Sequence, residues 1–273
     1  MKPKNRNDVR AMTDREIAAK RDKGALAILP IGAFEQHGPH LPVDTDAVSA
    51  HAVALGAVQE IASIDTLVFP PVVYGFSPHH LAKPSTISLG LDVFLSQLRD
   101  VVSCLTGSGF ERVAFVNGHG GNSAPLRALV TELVCEGVKL TSVDYWEPSR
   151  DAWKGLLKGR LKTVGHACEF ETSLQLVLRE REVAKEILKR AENLPPRLTQ
   201  PFVALGTEDG FTRYGGVAPP VFASEDPGYY GDPAAAKEET GWALLECLFE
   251  GLASYLRFFS SVELVAGAQE PKR

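Results

Sequence analysis

The sequence predicts an α/β fold in which a mainly parallel sheet carries helices on both faces. Apolar runs of strand length alternate along the chain with segments of helical spacing, as they do in βαβ units. The first of these runs, ALAILPI, is apolar at consecutive positions, which is typical of a strand that is covered on both faces. The most polar loops directly follow such runs. The functional site is therefore expected at the carboxyl edge of the sheet.

Four strands are predicted from the apolar runs. Their predicted bounds are 25–31, 66–73, 112–116 and 138–145. The second run carries Pro70 and Pro71, and proline cannot donate to a sheet ladder. We therefore expect this strand to end at the proline pair or to lie at an edge there.

Helices are predicted between the strands and at both ends of the chain. Residues 13–16 (TDRE) fit a capping box, and the helix that they open is expected to run to Gly24. Asp46 stands at a predicted N-cap. The other predicted helices cover 47–61, 91–105, 125–135 and 234–259.

One long segment, residues 206–233, is crowded with Gly, Pro and aromatic residues. It is too long and irregular for a simple connector, so we predict a lid or a segment ordered by a neighbouring subunit. No composition break divides residues 1–273, so we expect a single domain.

The composition is that of a globular protein without a polyanionic partner. Of 273 residues, 44% are hydrophobic and 23% are charged, which excludes disordered, collagen-like and coiled-coil chains. The net charge of -5, without a Lys/Arg-rich run, predicts no binding to nucleic acid or membranes. A polar start and the lack of a membrane-spanning apolar stretch predict a cytoplasmic protein. Four cysteines without a C-x-x-C pair indicate neither a disulfide framework nor a structural zinc site.

The first polar cluster, residues 32–46 (GAFEQHGPHLPVDTD), follows the first predicted strand. In extended backbone, side chains two residues apart project on the same side, so Glu35 and His37 are expected to point together while Gln36 turns away. A carboxylate beside an imidazole is a donor pair that zinc, manganese or iron accepts. Asp46 has two oxygens with which to bridge two ions. The alternative is a hydrogen-bonded loop with helix caps.

The second cluster, residues 117–122 (NGHGGN), joins a predicted strand to a predicted helix. Its three glycines allow a tight turn and a close approach of the backbone to a ligand. By itself the turn also fits an anion site, although it lacks the lysine of a P-loop and the spacing of a dinucleotide-binding motif. His119, at the strand end, is a candidate metal ligand. Gly120 and Gly121 are candidates for making room for substrate.

The third cluster is residues 165–173 (GHACEFETS). Glu169 and Glu171 are two residues apart, which predicts one near-strand face with paired carboxylates. The alternative makes Glu171 a charge at a helix start and Cys168 a packed thiol.

These three clusters, in this order, resemble motifs of the creatininase (creatinine amidohydrolase) family, and GDPAAAKEETGWALL is similar to the closing helix of that family. The resemblance spans most of the chain. It implies a three-layer α/β/α fold, a hydrolase with two divalent metal ions per chain (Zn, Mn or Fe) and a homo-oligomer, often a hexamer. It also implies that Glu35, Asp46 and His119 hold one ion, and that His37 and the bridging Asp46 hold the other.

One ligand of the second ion does not carry over from the family. Creatininase proper has a glutamate in its NGHYEN loop, at the position where this chain has Gly121. Glu169, at a place that is apolar in creatininase proper, is therefore predicted to supply the missing carboxylate. His166 and Glu171 match shared positions as catalytic candidates, for proton transfer and for support of the ligands, respectively. Trp146 aligns with an active-site tryptophan of creatininase, as a candidate substrate contact.

The resemblance implies hydrolysis of a non-peptide C–N bond, in a cyclic amide, formamide or similar small molecule, by a hydroxide that bridges two metal ions. A second tryptophan of creatininase has no counterpart near Lys162, and the loop 74–80 also differs, which weighs against creatinine itself. Two other interpretations stay open. One is a cysteine amidohydrolase, in which Cys168 is the nucleophile beside His166 and Glu169. The other is a relative that binds metal or ligand without turnover.

Overall fold

The computed structural model describes residues 6–162, 164–197 and 223–263. Its centre is a sheet of four parallel strands in the order β2-β1-β3-β4. The strands match the four predicted runs, and the second ends before Pro70, as its proline pair predicts. The parallel sheet is thereby confirmed. The strand bounds are β1 (Leu26–Ile31), β2 (Thr66–Val68), β3 (Val113–Asn117) and β4 (Leu140–Asp144).

Helices of the described ranges connect and flank these strands. The first helix begins with the predicted capping box, in which the Glu16 carboxylate accepts from the backbone N–H of Thr13 at 2.6 Å. The helix predicted from residue 125 begins earlier, at Gly120, because the glycines of the NGHGGN loop form its first turn. The helices are α1 (Asp14–Arg21), α2 (Thr45–Ala57), α3 (Leu91–Gly107), α4 (Gly120–Cys135), α5 (Arg150–Lys154), α6 (Glu169–Leu178), α7 (Arg181–Ala191) and α8 (Glu238–Ser261).

The sheet separates two hydrophobic cores, because successive side chains of a strand point to opposite faces. Leu26 and Ile28 of β1 lie in the core that α2, α6 and α8 cover. Leu29 and Ile31 lie in the other core, which α3 and α4 cover. Each such buried side chain stabilises the fold by about 1.5–3 kcal/mol. The result is the three-layer α/β/α arrangement that the family resemblance implies, and it explains why the strand is apolar at consecutive positions.

The connections of β1 determine where the polar clusters meet. One neighbour of β1 is β2, the next strand along the chain, and the other neighbour is β3. A parallel sheet binds ligands in the crevice at such a switch in strand order, outside the carboxyl ends of the strands. The register pairs Ile31 with Asn117. Residues 32–46 and the NGHGGN loop therefore start side by side.

The long segment that we predict to be a lid is described only in part. Residues 206–222 lie outside the described residues. In the described remainder, Tyr230 is buried and its backbone N–H donates to the His166 carbonyl oxygen at 2.7 Å. Among the residues that the structure covers, no helix combines the length and apolar character needed to cross a bilayer.

Candidate metal centre

Glu35 and His37 follow β1, and both side chains are buried. His37 Nδ1 lies 3.1 Å from the backbone carbonyl oxygen of Glu35. Because a carbonyl oxygen only accepts, Nδ1 carries a hydrogen, and Nε2 is the nitrogen that faces the neighbouring carboxylate. His37 Nε2 lies 3.0 Å from Asp46 Oδ1. The structure therefore brings Glu35, His37 and Asp46 together.

Asp46 lies in the first turn of α2, whose N-cap is Asp44, so the predicted capping role of Asp46 is wrong. Its Oδ1 faces His37, and its Oδ2 lies 3.2 Å from His119 Nδ1. The two oxygens thus face two different imidazoles, as a bridging carboxylate requires. Burial alone would raise the pKa of Asp46, but His37 and His119 hold that pKa well below its usual range. The carboxylate is therefore ionised at neutral pH.

His119 is the N-cap residue of α4, directly after β3. Asn117 fixes the turn, because its Nδ2 donates to the His119 carbonyl oxygen at 2.7 Å and its Oδ1 accepts from the His119 backbone N–H at 3.2 Å. His119 Nε2 lies 3.1 Å from Ser77 Oγ, while Nδ1 lies 3.3 Å from Glu35 Oε1. The ring thus presents one nitrogen to a hydroxyl and the other to carboxylates, as a metal-binding histidine does.

Glu35, His37, Asp46 and His119 form the centre of one side-chain cluster. Three carboxylate oxygens in it are buried and make no hydrogen bond with the described residues: both oxygens of Glu35 and Oδ2 of Asp46. Imidazole nitrogens approach two of them, Glu35 Oε1 and Asp46 Oδ2, to 3.2–3.3 Å, but outside hydrogen-bonding geometry. Buried carboxylate oxygens without partners are costly, and a cation removes that cost. Carboxylates and imidazoles are ligands of zinc, iron and manganese, so the residues present fit divalent metal ions.

Glu169 and Glu171 open helix α6, so the near-strand face predicted from their spacing is wrong. Residues two apart on a helix point about 200° apart around its axis. The Glu169 carboxylate accepts from the backbone N–H groups of Lys158 at 2.7 Å and Gly159 at 2.8 Å. Glu171 Oε1 instead lies 4.0 Å from His37 Nε2. The structure does not bring Glu169 to the cluster, and Glu171 stands where Glu169 was predicted.

His166 faces the cluster from the turn before α6. Its Nε2 lies 2.7 Å from the Gln36 carbonyl oxygen and 2.9 Å from the Gln36 side-chain nitrogen. Its Nδ1 lies 3.7 Å from Glu35 Oε1. Burial, followed by the charge of a neighbouring imidazole, holds the pKa of His166 well below its usual range. The ring is therefore neutral.

The backbone between His166 and Glu171 is unusual at one position. Ala167 has a φ of 51°, in the left-handed region that residues other than glycine rarely adopt. Its N–H donates to Glu171 Oε2 at 2.5 Å. This turn orients the Glu171 carboxylate while the preceding residue, His166, faces the cluster.

His79, His80 and Gln36 also belong to the cluster. The sequence motifs did not single out the two histidines, and the expectation that Gln36 turns away is wrong, because its side chain contacts His80 and His166. The two histidines lie in a 3₁₀ turn that follows β2. Gln36 Oε1 accepts from the Gly38 N–H at 3.0 Å, so its amide nitrogen faces His80 Nδ1 at 2.9 Å. His80 Nε2 in turn lies 3.3 Å from Glu35 Oε1. The sequence does contain a signal for the two histidines. They are adjacent and follow a predicted strand, and ligand sites of parallel sheets lie at the carboxyl ends of the strands.

Ligand atoms of these side chains form three overlapping groups, and within each group the atoms lie within 4.8 Å of one another. Two members, Glu35 and His37, each belong to two groups, so the cluster is one continuous centre. The groups are Glu35/His79/His119, Glu35/His37/His166 and His37/Asp46/Glu171.

The carboxylates of the cluster determine the pKa of His37. Burial lowers this pKa, but the charge of Asp46 and of other carboxylates outweighs the effect of burial and raises the pKa to about 10.

The cluster, apart from Gln36 and His37, lines a pocket together with the three predicted substrate residues, Trp146, Gly120 and Gly121. Trp146 follows β4 and is mostly buried, with its ring edge-on to Tyr145 at a centroid distance of 5.1 Å. It therefore packs in the core and borders the pocket. Gly120 and Gly121 form the first turn of α4, where the helix dipole presents partial positive charge.

Cys168 is packed in the hydrophobic core beside the cluster. The residue is 1% exposed, and its Sγ accepts from the Gly165 N–H at 3.3 Å. Burial, and then the charge of Glu171, raise the pKa of the thiol to about 12. A neutral, enclosed thiol matches the packed-thiol interpretation and is a poor nucleophile.

Comparisons with known proteins point to one family. The family profile described as "Creatininase: Creatinine amidohydrolase" matches residues 10–256. "Mycofactocin precursor peptide peptidase" of Mycolicibacterium smegmatis is 33% identical over 238 residues, which cover 85% of this chain and 84% of that protein. "Creatinine amidohydrolase" of Pseudomonas putida is 26% identical over 266 residues, or 90% and 94% of the two chains. A solved structure described as "Creatininase Mn" matches with a TM-score of 0.73 at 25% identity, covering 94% of this chain and 99% of that one.

The profile match includes every residue of the cluster, from the strand that precedes Glu35 to the helix that carries Glu171. This chain therefore belongs to the creatininase (creatinine amidohydrolase) family of hydrolases.

Proposed function

We propose that this chain hydrolyses an amide-type C–N bond of a small substrate, with two divalent metal ions held by the cluster. The observation that carries the proposal is the set of buried carboxylate oxygens of Glu35 and Asp46, which make no hydrogen bond within the described part of the chain and face imidazole nitrogens. Cations are the natural partners of such oxygens. Membership of a family of hydrolases supports the reaction class.

In the proposed centre, Glu35, Asp46 and His119 hold the first ion, and His37, Asp46 and Glu171 hold the second. Glu171 replaces Glu169 in this assignment, because its ligand atom lies within 4.8 Å of those of His37 and Asp46. Each set mixes oxygen and nitrogen donors, which suits zinc, manganese or iron. The related structure described as a manganese form of creatininase supports the same class of ion here.

His166 is the proposed proton carrier. Two bound ions of this kind lower the pKa of water and polarise a carbonyl oxygen. Nδ1 of His166 lies 3.7 Å from Glu35 Oε1, beside the centre, and the ring is neutral because burial lowers its pKa. It takes a proton from the attacking water and gives it to the departing nitrogen. The contact with the Gln36 carbonyl oxygen, 2.7 Å from Nε2, holds the ring in place beside the centre.

The pocket wall supplies the remaining contacts. The amide end of α4, at Gly120 and Gly121, stabilises the negative charge that develops on the carbonyl oxygen in the tetrahedral state. Trp146 offers an apolar surface to the substrate. Both roles are proposed from the positions of these residues along the pocket.

Two substrate classes fit an amide hydrolase of this family. The first is a non-peptide amide, such as a cyclic amide or a formamide, as the sequence motifs suggest. The second is a short peptide, which is favoured because the mycofactocin precursor peptide peptidase is more similar to this chain than the creatinine amidohydrolase of P. putida. A panel of lactams, formamides and short peptides, assayed with the metal-replete protein, separates the two classes.

Metal dependence tests the proposal itself. Chelation is expected to abolish hydrolysis, and zinc or manganese is expected to restore it. Full activity in protein free of ions would overturn the proposal. Two bound ions without turnover on the whole panel would instead support a relative that only binds metal or ligand. The homo-oligomer, often a hexamer in this family, and the cytoplasmic location stay predictions.

A further inference from the structure

The loop after β2 places a second imidazole beside His119. His79 lies in a 3₁₀ turn, and its ring is parallel to that of His119, with centroids 5.5 Å apart and planes at 5°. A ligand atom of His79 lies within 4.8 Å of those of Glu35 and His119. A side chain from a third loop thus reaches the same place as two proposed ligands of the first ion.

The His79 and His119 rings lie close to Gly121, where the lack of a side chain leaves room for them. A Cβ atom at Gly121 would lie 2.4 Å from His119 Nε2, 2.7 Å from His79 Cε1 and 2.8 Å from the Phe76 carbonyl oxygen, all closer than real Cβ contacts come. Any larger side chain at position 121 would therefore displace one or both rings. Creatininase proper carries its loop glutamate at this position. The His79 ring can therefore occupy its position only because residue 121 is a glycine.

We propose that His79 is an additional protein ligand of the ion held by Glu35 and His119, an inference that rests on the proposed function. Together with Asp46, the first ion then has two carboxylate and two imidazole ligands. Carboxylate sites suit manganese, whereas imidazole suits zinc and iron. An added imidazole therefore shifts the preference of the first ion towards zinc, relative to a site with His119 as its only imidazole.

Metal titration of matched histidine variants tests this proposal. The protein is stripped with a chelator and titrated calorimetrically with Zn²⁺ and Mn²⁺, as wild type, His79→Asn and His51→Asn. His51 lies on α2 outside all three ligand groups, so it controls for the loss of a histidine. We expect His79→Asn to weaken one of two zinc sites by at least about tenfold, and manganese binding by less. The visible absorption of bound Co²⁺ is expected to change in this variant only.

Each result has a defined meaning. Two zinc sites of wild-type affinity in His79→Asn, with an unchanged Co²⁺ spectrum, would show that His79 only packs against His119; this overturns the inference and leaves the proposed function intact. Wild-type protein that binds no ion would overturn both the inference on His79 and the proposed function. If circular dichroism shows that His79→Asn does not fold, X-ray absorption of zinc-loaded wild type decides. Three imidazoles shared by the two ions, of which one is lost in zinc-loaded His79→Gln, support the proposal, and two imidazoles in the wild type overturn it.

Discussion

Glu171 and His37 face each other across the cluster, with Glu171 Oε1 4.0 Å from His37 Nε2. Glu169, on the same helix, turns away and binds two backbone amides with its carboxylate. The missing loop glutamate of this family member is thus compensated, in our proposal, from helix α6. This difference between two neighbouring glutamates can be tested with one pair of variants.

Glu171→Gln is expected to hold one metal ion per chain where the wild type holds two, because the second ion loses its terminal carboxylate. Glu169→Gln is expected to keep both ions. Elemental analysis of purified, metal-replete protein measures this difference. One ion in Glu169→Gln and two in Glu171→Gln would reverse the assignment.

The same pair of variants is expected to differ in stability. Glu169→Gln removes the charge that accepts two backbone N–H groups, so we expect its free energy of unfolding to fall by about 1–3 kcal/mol. Urea unfolding of metal-free protein measures this change. A fall of this size without loss of metal would identify Glu169 as a structural acceptor.

Gly121→Ala is expected to lower metal affinity and activity together, since its Cβ would lie 2.4 Å from His119 Nε2. Gly107→Ala is the matched control, because a Cβ there meets nothing within 4 Å. Alanine is also the better helix former by about 1 kcal/mol, so the control should be neutral or slightly stabilised. Metal titration and thermal unfolding of both variants measure the contrast. Equal metal affinity in the two would mean that the cluster tolerates the added methyl group.

Cys168→Ala is expected to keep most of the activity, and iodoacetamide is expected to leave the wild type active. The reason is that the pKa of this buried thiol is raised to about 12, so the thiol stays protonated well above neutral pH. Rate measurements before and after alkylation, beside a chelated sample, provide the comparison. Inactivation by alkylation with resistance to chelation would favour the cysteine nucleophile instead.

The metal-free protein is expected to lose stability as the pH rises from about 7 to 10. Burial raises the pKa of Glu171 from 4.5 to about 7. Burial opposes the shift at His37, but Asp46 raises that pKa from 6.5 to about 10. A group whose pKa rises on folding stabilises the protein below its unfolded pKa, and this contribution disappears as the pH passes the folded value.

Bound ions take the place of these protons, so the zinc-loaded protein is expected to show a flatter dependence over the same range. Thermal unfolding midpoints of chelated and zinc-loaded protein, measured in parallel across that pH range, test this expectation. Parallel curves for the two forms would mean that the ions and these protons do not compete for the same groups.

The sequence by itself determined the fold and much of the cluster. The apolar run 26–31 specifies a strand buried on both faces, because consecutive side chains point into two different cores. The spacing of Glu35 and His37 predicted that they point together, and the structure places both in one ligand group. The first inference holds because strand geometry repeats every two residues. Glu35 and His37 lie in the loop after β1, so the fold of that loop decides that they point together.

Only the tertiary structure decided which glutamate reaches the cluster and which histidines surround it. Glu169 and Glu171 have the same spacing as Glu35 and His37, yet they open a helix, and the helical rotation sends them in different directions. His79 approaches His119 through a turn after another strand, so no local pattern records the contact. Spacing fixes relative side-chain direction only once the local backbone is known, and contacts between loops depend on how the whole sheet is assembled.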